Sequence, residues 1–225
     1  SADRVPAAPP NCSASASPRT RTSAARARAA MISQPATLSP KVTGTACGTG
    51  GGTCALFYDF DLTRGLDFVY GLRGTYSIAA ANMSLGGFAW PGPCDFEAQK
   101  APFDALRSAG IAPVVASGNG GVKTGISLPA CLSSAVSVGA VDRVTDDVAS
   151  FSNSSPYLQL LAPGLNITSS VPGGGFGSKS GTSMATPHIT GAFAVLRQQH
   201  PTMTVDDLLE IFEEVTDGVT AVEQQ

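Results

Sequence analysis

"IAPVVASGNGG", Ile111 to Gly121, is the stretch on which the fold turns. Ile111 to Ala116 carry no charge and run between Gly110 and a Ser-Gly-Asn-Gly-Gly turn. A short apolar run bounded by turn residues reads as a buried strand, apolar at consecutive positions because both faces meet a core. The same pattern recurs in "YSIAAANMSLGG" (76–87), "SSAVSVGAVD" (133–142) and "LQLLAPG" (158–164). Helical patterns lie among these strands. "DLTRGLDFVYGLR" sets Leu62, Leu66, Val69 and Leu72 on one face, and "APFDALRSAG" has Pro102 near its start and Gly110 just past its end. Strands alternating with helices predict an α/β fold, a parallel sheet with helices on both faces. Sites in such sheets lie beyond the carboxyl ends of the strands. Ser84–Gly87 and Gly118–Gly121 are turns of that kind.

Further on, "GTSMATPHITGAFAVLRQQ" (181–199) opens a long helix at Ser183. It is apolar nearly all round and rich in small residues (Ala185, Gly191, Ala192, Ala194), which predicts a buried central helix. Pro187 falls in or just after the first turn, where a missing N–H costs least. A last segment, "TVDDLLEIFEEV" (204–215), predicts an amphipathic helix capped by Thr204 or Asp206 and packed through Leu208, Leu209, Ile211, Phe212 and Val215. Ser183 stands where a helix leaves backbone N–H groups unpaired and favours negative charge. An acyl-transfer reaction needs such a donor where its oxyanion develops, and Asn119 on its glycine-flanked turn is a candidate second donor. Taken singly, the serine reads as a helix cap and the asparagine as a turn residue.

The chain has 225 residues, 43% of them hydrophobic, which suits one globular domain with a sizeable core. No apolar run reaches membrane-spanning length. No acidic cluster or cysteine spacing suits a metal, so neither metal nor cofactor is expected. Residues 1–30 hold five arginines and one acid, and the rest nine Lys or Arg against sixteen acids. That mildly acidic body has no electrostatic footprint for nucleic acid. The opening residues, "SADRVPAAPP", show no charged head and apolar core of a signal peptide. Residues 1 to about 36, with "NCSASASPRTRTSAARARAA", are low in large apolar side chains and are expected to be disordered. Of five cysteines, Cys47 and Cys54 flank the turn "CGTGGGTC", and Cys94 and Cys131 sit in loops that a parallel sheet can bring together. Disulfides Cys47–Cys54 and Cys94–Cys131, with Cys12 left over, favour a secreted or periplasmic protein; free buried cysteines are the alternative.

"GTSMATPH" following "NMSLGG", "VVASGNGG" and "FSNSSPYLQLLAPG", in that order and spacing, resembles the carboxyl-terminal half of the subtilisin-like serine proteases, the subtilases. The likeness runs from about Lys41 to Val215. Thr186 stands where the family commonly has alanine, and "ITG" where it has "VAG". The resemblance implies a serine endopeptidase acting on polypeptides, with Ser183 as nucleophile and Asn119 as oxyanion donor. It implies cleft walls at Ser84, Leu85, Gly86 and Gly87 and at Ala116, Ser117 and Gly118, where an extended peptide would add as a strand. Residues 39–225 would then be a partial subtilisin-like domain, and residues 1–38 a disordered or non-native segment before it.

The family also has an Asp-Ser/Thr-Gly turn and a His-Gly-Thr-His helix ahead of the serine. Neither motif occurs here, and no histidine precedes Ser183. His188 is five residues on, roughly 140° around the helix, and is expected to be packed and hydrogen-bonded. The family's histidine at that place is not the triad base. His200 is about 25 Å along the helix and precedes Pro201, as a surface histidine would. Residues 1–36 stand where the family's histidine motif belongs. Their composition resembles GC-rich coding sequence read out of frame, and across "TRTSAA" (20–25) an alternate frame can encode Thr-His-Val-Gly-Gly. A frameshifted or mis-assembled gene and a real basic arm are both open readings. A body lacking the family's other strands is expected to expose an apolar sheet edge and dissolve poorly. A non-catalytic peptide-binding remnant is the main rival. A lipase-type hydrolase is disfavoured, since those use Gly-x-Ser-x-Gly.

Overall fold

The computed structural model describes residues 28–31, 41–43, 53–55 and 59–215. In chain order the strands are β1 (Arg28–Met31), β2 (Lys41–Thr43), β3 (Thr53–Ala55), β4 (Ile78–Met83), β5 (Ala89–Trp90), β6 (Ala112–Ala116), β7 (Ile126–Ser127), β8 (Val136–Val141), β9 (Leu160–Pro163), β10 (Ile167–Ser170) and β11 (Phe176–Lys179). The helices are α1 (Asp59–Leu72), α2 (Lys100–Ser108), α3 (Thr182–Gln199) and α4 (Val205–Val215). Five strands form one sheet in the order β1-β4-β6-β8-β9, and every neighbouring pair is parallel. The other strands pair antiparallel in twos: β2 with β3, β5 with β7, and β10 with β11.

The alternation of side chains along each strand sorts the core into two layers. On one face Ala81, Met83 and Val115 meet Leu62, Leu66 and Val69 of α1 and Phe103 and Leu106 of α2. On the other, Ala80, Val114, Val138 and Ala140 meet Ala185, Ile189 and Phe193 of α3 and Leu208 and Leu209 of α4. Each large apolar side chain so buried contributes about 1.5–3 kcal/mol relative to exposure. The result is the expected α/β sandwich, a parallel sheet with helices on both faces. Cys94 and Cys131 form a disulfide beside the first layer, with Cα atoms 5.4 Å apart. Of the proposed Cys47–Cys54 pair, Cys54 belongs to β3 and Cys47 lies outside the described residues.

Two expectations change on contact with the structure, and a third, left between two residues, is narrowed to one. Arg28–Met31, inside the stretch expected to be disordered, forms β1 and pairs with β4. The sequence around it carries no apolar run that marks a strand. The rest of residues 1–38 lies outside the described residues. Second, α3 is not covered all round: Pro187, His188, Gly191 and Val195 form an exposed stripe. Its apolar character reflects small and aliphatic residues, while its described neighbours are the sheet on one side and α4. Third, the cap of α4 is Thr204, whose hydroxyl accepts the Asp207 N–H (3.1 Å) while the Asp207 carboxylate accepts the Thr204 N–H (2.7 Å). That reciprocal pair uses two first-turn donors at once and holds the Asp207 carboxyl below the usual range. Asp206 instead pairs with Arg107 of α2.

Candidate active site

Beyond the carboxyl ends of β4 and β6 the chain opens into a cleft of about 310 Å³. Its walls come from two turns and a helix end: Leu85 to Ala89 after β4, Gly118 to Gly120 after β6, and Thr182 and Ser183 at the head of α3. Gly118 has φ +109°, a left-handed value, and a Cβ there would lie 2.3 Å from Ser127 Oγ and 2.4 Å from Asn153 Nδ2. Only glycine fits, on both counts. The turn therefore crosses directly over Ser127 and Asn153 and lifts Asn119 into solvent.

The Asn119 carboxamide is anchored from one side. Its Oδ1 accepts the Thr182 N–H (2.8 Å) and the Thr182 hydroxyl (3.0 Å). That leaves Nδ2 as an unengaged donor among the described residues, on the cleft side. Thr182 is fully buried and also donates its hydroxyl toward no carboxylate, so the whole anchor is neutral. Ser183 follows in the first turn of α3, where the helix supplies no acceptor for its N–H. Its hydroxyl donates to the Ser84 carbonyl at 3.4 Å, and the Ser84 hydroxyl donates to the Ser183 carbonyl at 2.8 Å. Asn82 Nδ2 donates to the same Ser84 hydroxyl (3.1 Å), and Asn82 Oδ1 accepts from Thr190 on α3 (3.2 Å). A chain of neutral hydrogen bonds thus ties the end of β4 to α3 beside the serine.

Ser183, Asn119, Leu85, Gly86, Gly87, Ala116 and Gly118 all line this one cleft. Ser84 sits at its rim, bonded to Ser183. Ser117 does not line it: its side chain is buried and donates to the Asn153 carbonyl (2.9 Å). Thr182 and Asn153 escaped the sequence reading. The signal for Thr182 was its place beside Ser183, where the Asn119 oxygen needs a donor; Asn153, 34 residues from Asn119, left no local signal.

Neither histidine belongs to the cleft. His188 is exposed, and its Nδ1 contacts the Met184 carbonyl at 2.9 Å, so it is hydrogen-bonded but not packed as expected. His200 caps the far end of α3. No titratable side chain lines the cleft. Among the described residues no three His, Cys, Asp or Glu converge on a metal-sized site, and no helix is long and apolar enough to cross a membrane.

Residues 56–219 match the family model described as the subtilase family (Peptidase_S8). The chain belongs to the subtilase family. Over 135 residues it is 42% identical to subtilisin amylosacchariticus of Bacillus subtilis subsp. amylosacchariticus, covering 57% of this chain and 34% of that protein. It is equally similar to the subtilisin of Bacillus pumilus, covering 47% of it. A cold-adapted subtilisin-like serine proteinase of known structure superposes with a TM-score of 0.59 at 32% identity, over 69% of this chain and 54% of that one. Sphericase, at 24% identity and a TM-score of 0.63, shares the fold. This subtilase chain spans a third to a half of the length of the curated relatives it matches.

Proposed function

We propose that this chain carries the nucleophile and the oxyanion donors of a serine endopeptidase acting on polypeptides. The observation that carries the reading is the meeting of Ser183 and the unengaged Asn119 Nδ2 in one cleft at the ends of β4 and β6. Ser183 Oγ bonds to the peptide carbonyl carbon as the C=O π bond gives an oxyanion held by the Ser183 N–H and Asn119 Nδ2. The hydroxyl proton passes to a base supplied from outside the described residues and on to the amine that leaves when the C–N bond breaks. An extended peptide lies between the turns 84–87 and 116–118, pairing as an added strand. Both donors are neutral and fixed before substrate arrives, which is what makes such a site effective. The Cys94–Cys131 disulfide supports an exported protein.

A second reading, peptide binding without cleavage, is favoured by one observation. Attack needs a base to take the Ser183 proton, and the hydroxyl donates to a backbone carbonyl while both histidines lie elsewhere. Labelling with a fluorophosphonate serine probe separates the two. Labelling that Ser183→Ala abolishes supports the endopeptidase. A folded chain that binds an extended peptide but takes no label supports the binding remnant.

A further inference from the structure

We propose that Asn153 is a positioning residue for the oxyanion turn, acting through the turn's backbone to hold the Asn119 carboxamide against Thr182. The proposal rests on the reading of Asn119 as an oxyanion donor.

The turn after β6 brings the Gly120 and Val122 N–H groups inward with no strand opposite them. A single side-chain oxygen takes both: Asn153 Oδ1 accepts from Gly120 N and from Val122 N, each at 3.0 Å. Two converging N–H donors require an oxygen there, which fixes the orientation of the amide, and its Nδ2 then donates to Ser127 Oγ at 3.2 Å. The backbone of Asn153 repeats the mooring: its N–H donates to the Gly118 carbonyl (2.9 Å) and its carbonyl accepts the Ser117 hydroxyl (2.9 Å). Asn153 is 2% exposed, so water does not substitute for these bonds. Asn119 itself makes no side-chain bond to its own turn. Its position is the product of its own contact with Thr182 and of the turn backbone, which Asn153 holds and whose Gly118 N–H also donates to Thr182 Oγ1 (3.3 Å). Loosening Asn153 frees the Gly120–Val122 arm of the turn and leaves the long Gly118–Thr182 bond as the remaining backbone tie to α3.

Amide hydrogen exchange by nuclear magnetic resonance reads this directly, with or without catalysis. The Thr182 N–H lies in the first turn of α3, where the Asn119 oxygen is its acceptor. It makes no hydrogen bond to Asn153, so its exchange reports where Asn119 is. In Asn119→Ala the Thr182 amide is expected to exchange at least about tenfold faster. In Asn153→Leu, near in volume but without polar atoms, the Gly120, Val122 and Thr182 amides are all expected to speed up, with the interiors of β6 and α3 unchanged. In Asn153→Asp one carboxylate still accepts both N–H groups, the Ser127 hydroxyl turns to donate, and Thr182 protection is expected to return. If the leucine variant does not fold, Asn153→Ser is read the same way. The proposal is overturned if Thr182 stays protected while Gly120 and Val122 exchange freely, or if β6 and α3 lose protection together with the turn. Absence of fluorophosphonate labelling in the unmodified chain would count against the endopeptidase reading and leave this outcome legible.

Discussion

The two ends of α3 each face a cleft, and they are built on opposite plans. At the head, every contact around Ser183 is between neutral groups, and two donors, Asn119 Nδ2 and the Ser183 N–H, are left over. At the tail, a cleft of about 460 Å³ holds two arginines tied to neighbouring groups, with Arg197 Nε buried and without a hydrogen-bond partner. Arg197 donates to the Gly110 carbonyl (2.8 Å) and to the Met203 carbonyl, and Arg107 grips Asp206 and the Ser134 carbonyl. Burial pushes the Arg197 guanidinium down from its ordinary value, against the pull of Asp207. The tail is a fastening that joins α3, α4 and the loop before β6. The contrast separates a cleft whose free donors face its open wall from one whose free donor, Arg197 Nε, is buried: what counts is an unpaired donor that a ligand can reach, not the volume or the charge.

Gly118→Ala should break the head end hardest. A methyl group at φ +109° collides with Ser127 and Asn153, and the strain and overpacking together cost about 2–4 kcal/mol. Urea unfolding measures that loss, and any Ser183 reactivity should disappear with it; a variant of unchanged midpoint would mean the turn is freer than described. Arg197→Met tests the tail. It is expected to cost about 1–2 kcal/mol by leaving the Gly110 and Met203 carbonyls short of donors, without altering peptide binding at the head. A drop in binding equal to that of a head variant would erase the distinction. The smallest effect belongs to Lys100 and Asp104 on α2. Hydrogen bonding to Lys100 is the main reason the Asp104 carboxyl lies below its ordinary value. A folded-state value lowered in this way adds stability above about pH 4, lost as pH falls through the folded-state value. Both side chains are partly exposed, so Lys100→Met should cost less than about 0.5 kcal/mol at pH 7 and nothing in strong acid.

The sequence made most of the sheet and all four helices readable because their signals are local. Four apolar runs became β4, β6, β8 and β9, and Gly110, with φ +75°, ends α2 as its position suggested. Ser183 and Asn119 were legible through the company they keep in order along the chain. What failed to show depends on partners distant in sequence. Arg28–Met31 has no strand signal of its own, and it exists as β1 only beside β4. Ser117 read as part of a cleft wall, yet strand alternation turns its side chain inward to Asn153. The exposed stripe on α3 was hidden because composition reports apolarity without direction.

The position of β1 also sets an order of assembly. Joining it to β4 closes a loop of roughly fifty residues, whereas β8 and β9 meet across about twenty. Among the described residues it has a sheet neighbour on one side only. A strand that costs most to recruit and is held along a single edge arrives last and leaves first. Loop closure therefore weighs more heavily on β1 than on the pairing of β8 with β9.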